Sequence, residues 1–138
     1  MLRQVHHYPR VVVNRANATC TDTIHRVRFR NGTVREIFAA AFLNSMTFAF
    51  SEVMGRSYGG GVLELEPSEA EALPVPFKGA DKLDSKRINE LVFSGNIQEV
   101  LNITDDVLLR TGLGLSREKT KLLRGIWEKL RNRRTCRR

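Results

Sequence analysis

The chain is poor in the residues that build catalytic and metal centres. It has two cysteines, three histidines and four prolines in 138 residues. Cys20 and Cys136 lie far apart, without CxxC spacing or partner histidines. They spell no zinc site and are expected to be ordinary free thiols. His6 and His7 stand together near the N-terminus with no clustered carboxylate or cysteine, so no metal is expected there. No HExxH, GxSxG or GxxxxGK[ST] occurs. No run reaches about 18 uninterrupted apolar residues, so no membrane span is expected. The most apolar stretch, residues 37–50, contains Asn44, Ser45 and Thr47. The opening Met1-Leu2-Arg3-Gln4 has no apolar h-region, so no secretory signal is expected and the expected location is cytoplasmic.

Acidic residues are also scarce, 15 against 23 lysines and arginines, for a net charge of +8. The imbalance is polarised. Residues 116–138 hold ten basic residues against two acidic, and residues 1–61 hold eight against three. Residues 62–115 reverse the sign, with five against ten. A basic first half and a basic tail around an acidic middle fit a polyanion partner on part of the surface; a soluble protein with a solvated charged helix would share the composition. The 41% hydrophobic content supports a modest core and excludes a disordered composition.

Arg10-Val11-Val12-Val13-Asn14 reads as a short strand. Residues 15–22 are polar and turn-like. Residues 23–30 alternate, with His25, Val27 and Phe29 on one face and Ile24, Arg26, Arg28 and Arg30 on the other. Asn31-Gly32 is the strongest turn signal in the chain. Residues 33–54 then read as one long helix, with Thr33 and Glu36 as its capping box and Gly55 as its stop. Residues 61–66 alternate as a strand, Leu63 and Leu65 opposing Val62, Glu64 and Glu66. Ser68 and Glu71 suggest a second capping box, and Pro74 and Pro76 force extended backbone. Helices are expected from Asp84 or Ser85 to Phe93, from Asn96 to Arg110 with a break near 102–105, and from Ser116 onward. Leu122, Leu123, Ile126, Trp127 and Leu130 form a stripe on the last helix, and the basic residues after it are expected to fray. The fold class is therefore α+β: a small, mainly antiparallel sheet packed on a long helix, then a helical C-terminal part. The parts are residues 1–77 and 78–138.

The chemistry concentrates at Gly55-Arg56-Ser57-Tyr58-Gly59-Gly60-Gly61. Three glycines allow backbone to approach a ligand closely. The order is wrong for a dinucleotide or phosphate loop, because the glycines precede a strand. A tight helix-to-strand connection would look the same. Arg56, Ser57 and Tyr58 beside the glycines shift the reading toward phosphate or base contact. Arg26 and Arg28 project from one strand face about 6–7 Å apart, the scale of successive phosphates, as a solvated face also would. Arg15 and Asn17, in the polar loop beside it, are candidate base readers, though turns favour asparagine for reasons of their own. His25, on the Val27 and Phe29 face, reads as a packed, hydrogen-bonded side chain. No nucleophile, base and orienting group come together.

Phe42-Leu43-Asn44-Ser45, the segment from Gly55 to Glu69, and Leu73-Pro74-Val75-Pro76 together resemble the C-terminal target-recognition region of adenine-specific DNA methyltransferases of bacterial restriction–modification systems. The segments at 9–15 and 22–27 resemble the strands just before it, so the similarity covers residues 9–77. In that family an Asn/Asp-Pro-Pro-Tyr motif and the S-adenosylmethionine site lie N-terminal to this region. Here Pro9, Pro67, Pro74 and Pro76 include no adjacent pair. The resemblance therefore implies a recognition module rather than an enzyme. Its partners would be duplex DNA and a methyltransferase catalytic domain, with the cofactor held there and none in this chain. The implied DNA contacts are Arg15, Asn17, Arg26, Arg28, Arg56, Ser57, Tyr58, Gly59 and Gly60. A complete small methyltransferase or nuclease would need the missing motifs. A protein-interaction module docking through the Leu122, Ile126 and Leu130 stripe is the other reading.

Overall fold

Leucines alternating with glutamates between residues 62 and 66 give the sheet its one two-faced strand. The computed structural model describes residues 1–29 and 32–136. In it β1 (Gln4–Val5), β2 (Arg56–Tyr58) and β3 (Val62–Glu64) form an antiparallel sheet in the order β1-β3-β2. Gln4 faces Glu64 across β1 and β3, and Arg56 faces Glu64 across β2 and β3. Leu63 and Leu65 are buried, while Glu64 and Glu66 turn the other way onto Arg3 at 2.7 and 2.8 Å. The alternation expected for this strand is borne out.

Two expected strands are not. Val11, Val12 and Val13 form no ladder among the described residues, although Val12 is exposed while its neighbours are half-buried. Among the described residues of the 23–30 segment only Ile24 pairs, in an isolated bridge to Leu2. The sheet edge is taken instead by β1, which sequence reading missed because two residues are too few to show a period. The 24–29 segment is held by point contacts: the amide of His25 donates to the Met1 carbonyl and the amide of Arg3 to that of Thr23. Arg30 and half of the expected Asn31-Gly32 turn lie outside the described residues.

The expected long helix is two, α1 (Arg35–Ala41) and α2 (Ser45–Met54), bent by 73°. Asn44 causes the break. Its backbone is extended and its buried side chain accepts from the Thr47 amide at 2.9 Å, so it caps a new helix instead of continuing the old one. The Thr33 and Glu36 box does not form either: the α1 N-cap is Val34, and no side chain bonds the helix end there. The N-cap of α3 (Pro67–Glu71) is Glu66, two residues before the expected Ser68, because Pro67 fits the first helical position and Glu66 and Glu69 make the capping box.

Further on, side-chain caps fall as expected. Asp84 caps α4 (Ser85–Phe93), Asn96 caps α5 (Ile97–Thr104), and Ser116 caps α6 (Arg117–Thr135). Asp105–Gly112 continues α5 as a π-helical segment, which lets both Leu108 and Leu109 face inward. The last helix does not fray after Leu130; it runs to Thr135 with Arg134 buried, while Arg137 and Arg138 lie outside the described residues. Its expected stripe is split. Trp127 is wholly buried, Leu123 and Leu130 are half-buried, and Leu122 and Ile126 are exposed. Among the described residues no single helix is long and apolar enough to cross a membrane.

The main core is built around Phe48, Trp127, Val100, Leu101, Leu108 and Ile88, so α2, α4, α5, the π segment and α6 all feed it. A second cluster of Met1, Phe42, Leu65 and Leu73 seals the sheet against α1. Gly112 closes the π segment against the 77–80 loop, where a Cβ would land on the Lys78 carbonyl oxygen. Gly112→Ala should therefore destabilise the fold by about 1–3 kcal/mol in thermal or urea melts. Gly125→Ala, where a Cβ meets open space, is the matched control.

Candidate nucleic-acid interface

The glycine segment is a hairpin tip. β2 pairs with β3 through Ser57 facing Leu63 and Tyr58 facing Val62, and Gly59–Gly61 turns between them. Gly60 and Gly61 adopt φ of 73° and 74°, which an L side chain resists. The expected helix-to-strand loop is thus corrected to a β-hairpin that starts one residue after α2. Its tip stands clear: Tyr58 is half-exposed, Ser57, Gly59 and Gly60 are exposed, and Cβ atoms at Gly59 and Gly60 would meet nothing within 4 Å. Arg56 is exposed, with its Nε 3.1 Å from Glu69. The Glu69 charge, and then its hydrogen bond, hold the guanidinium more firmly protonated. Glu69 also accepts from the Glu66 amide at 2.8 Å, so the first turn of α3 fixes where Arg56 rests.

A second feature lies past the other end of β3. A cleft of about 840 Å³ opens between the 11–14 segment and the 24–29 segment, with Thr33 and Arg35 also lining it. Arg26, Arg28 and Arg35 line it together with His25, Asn14 and Thr19. Among the described residues no aspartate or glutamate lines it. No lining carboxylate among those residues offsets Arg26 and Arg28, while Glu36 lies near enough to Arg35 to feel its charge. One wall is fixed at both ends. The His25 ring Nε2 lies 2.7 Å from the Leu65 carbonyl of the sheet, and Phe29 packs edge-on to Phe38 of α1 at 4.9 Å. The opposite wall carries a small loop closed by Asn14, whose side chain donates to the Ala18 carbonyl and accepts from the Ala18 amide. That closure puts Asn17 in the left-handed region at φ 50° and leaves Arg15 and Asn17 exposed.

Arg15 reaches across to Glu36 at 3.0 Å. The amide at the start of α1 first, and then Arg15, lower the Glu36 pKa. The carboxylate form is the one stabilised, so this contribution is present at neutral pH and fades as pH falls through the Glu36 midpoint. Arg15→Ala should raise that midpoint partway toward the ordinary glutamate range, since the helix amide stays; NMR titration of the carboxyl carbon checks it. An unmoved midpoint would mean the pair does not form in solution.

The nine candidate residues thus divide into two groups. Arg56, Ser57, Tyr58, Gly59 and Gly60 share the hairpin. Arg26 and Arg28 share the cleft, with Arg15 and Asn17 on the loop at its rim. Sequence reading missed Arg35, whose only signal was a cation at the start of α1, and Arg134, which it assigned to a frayed end. Arg134 is buried at the root of the hairpin, donating from Nη1 to the carbonyls of His6 and Gly61. Among the described residues no group of three or more His, Cys, Asp or Glu side chains could hold a metal ion. The family described as Type II methyltransferase M.Eco57I, C-terminal domain, matches residues 1–109. No curated protein and no solved structure matches the chain.

Proposed function

The chain belongs to the family of the Type II methyltransferase M.Eco57I C-terminal domain, and from that premise we propose that it is a non-catalytic target-recognition domain for duplex DNA. In this reading a separate catalytic domain holds S-adenosylmethionine and methylates an adenine, which must leave the base stack to be reached. The observation that carries the reading is the carboxylate-free cleft lined by Arg26, Arg28 and Arg35. Its guanidinium groups supply phosphate contacts, which give most of the affinity and set the register on the duplex. The hairpin supplies what phosphates cannot. Tyr58 offers a ring face, Arg56 a planar fork, and the bare glycines let backbone enter a groove. Arg15 and Asn17, on the loop braced by Asn14, are the proposed base readers, Arg15 leaving Glu36 to do so.

Photo-crosslinking to a halogenated duplex tests the assignment. Crosslinked peptides should contain Tyr58 and the 24–29 segment. Crosslinks confined to the lysines of α6 would sink it.

A second reading rests on a specific observation. Leu122 and Ile126 are exposed on one face of α6, among Lys119, Lys129 and Arg133. That face suits docking on a methylase or restriction subunit. It is compatible with recognition, since such a domain must also sit against its catalytic partner. Capture of the methylase part without DNA, lost in Leu122→Ser/Ile126→Ser, would support it.

A further inference from the structure

We infer that Arg134, near the end of the last helix, is a positioning residue for the glycine turn; the inference rests on the DNA-recognition reading. Arg134 is 4% exposed and cannot itself touch DNA. Its Nε and Nη2 form a two-pronged pair with Glu52 of α2 at 2.9 and 2.7 Å, and both side chains are 3% exposed. Its Nη1 donates to the carbonyl oxygens of His6 and Gly61. Four hydrogen bonds therefore leave one guanidinium from three of its nitrogens.

The placement of those two carbonyls gives the contact its meaning. The ladder of β1 and β3 pairs Gln4 with Glu64 and Val5 with Leu63, and then stops. His6 and Gly61 come just beyond it, where the strands part and the turn begins. The guanidinium takes the place of the missing rungs. It ties both strand ends to α2 through Glu52. Gly61 is also hemmed by α6, since a Cβ there would lie 3.1 Å from the Thr135 Cα. The tip beyond, at Gly59 and Gly60, has no other support within reach of a Cβ. The direction in which the turn presents Tyr58 is thus set by a side chain 73 residues from Gly61 in sequence, on a helix outside the family-matched segment.

A positioning role and a contact role differ in their salt dependence. Loss of a phosphate contact weakens binding and flattens the salt slope by about one unit. Loss of the Arg134 clamp should weaken binding with the slope unchanged. Arg134→Leu alone strands Glu52 in the core, so the informative variant is Glu52→Leu/Arg134→Leu, which replaces the pair by apolar volume and keeps the fold. Arg134→Lys is the second variant; it retains a charge for Glu52 but lacks the fork that reaches both carbonyls. The probe is a labelled duplex, with amide exchange measured in parallel by NMR.

Both variants should keep the amide protection of α4 and α5 while the amides of residues 59–62 exchange about tenfold faster or more. Duplex affinity should fall about tenfold at an unchanged salt slope. A folded variant with wild-type exchange at the turn, or with affinity within twofold of wild type, overturns the inference. The exchange measurement needs no DNA. If the wild type fails to bind duplex, the recognition reading fails while the clamp is still judged on the turn amides.

Discussion

Trp127→Ala should lower the folding free energy by about 3–5 kcal/mol, the largest single-residue loss expected from the core. The indole is completely buried in the main cluster. It packs on Phe48 with ring centroids 5.0 Å apart, and the Arg131 guanidinium lies 4.6 Å over its face. Through Phe48 the contact extends to Tyr8, stacked on the Phe48 ring at 5.4 Å. Removing the ring would open a cavity where α2 and α6 meet and unseat the segment leading into the 11–14 wall of the cleft. In a domain near the low end of typical stabilities, about 5 kcal/mol, that loss is enough to populate unfolded chain. Urea denaturation followed by far-UV circular dichroism measures it, since Trp127 is the only tryptophan. Ile126→Ala, one residue earlier on the exposed side of α6, should cost under about 1 kcal/mol. Equal costs at the two positions would mean that α6 does not pack through Trp127. The test matters because α6 lies beyond the family-matched segment, yet it closes the core and roots the hairpin.

Arg26→Ala/Arg28→Ala should weaken duplex binding about a hundredfold near 0.1 M salt, at roughly 1.4 kcal/mol for each charge-assisted contact. Both arginines are exposed and line the cleft from one wall, and neither makes an ion pair among the described residues. Their removal should leave the melting temperature unchanged, because no folded contact is lost. It should also reduce the dependence of log affinity on log salt by about two units. Arg35→Ala is expected to add a third decrement of the same kind. Arg56→Ala should act more weakly, because DNA must compete with Glu69 for that guanidinium. A double variant that binds like the wild type would remove the cleft from the interface and leave only the hairpin.

Short-range features of this fold were legible in the sequence. Asp84, Asn96 and Ser116 cap helices through side chains that bond amides two or three residues on, so a local reading finds them. Leu63 and Leu65 announce a half-buried strand through their period. The accessible glycine tip was legible because glycine next to arginine and tyrosine is informative without any fold. What failed to show is non-local. Val11, Val12 and Val13 have strand propensity, but a ladder needs a partner that the described residues do not supply. Asn44 interrupts an apolar run that propensity alone carries through, because its buried side chain prefers the Thr47 amide and the Ala41 carbonyl. Arg134 reads as part of a basic tail until Glu52, 82 residues away, neutralises it in the core. The cleft was half legible. Arg26 and Arg28 stood out by alternation, but the lack of a carboxylate among the described residues lining the cleft is a property of the surface, not of any segment.

The most direct test of the account is a titration of labelled duplex DNA with the intact wild-type chain between about 50 and 200 mM salt. Three cleft arginines engaging phosphates predict a slope of about −3 in log affinity against log salt. Binding that is absent, or that stays level across that range, would contradict it.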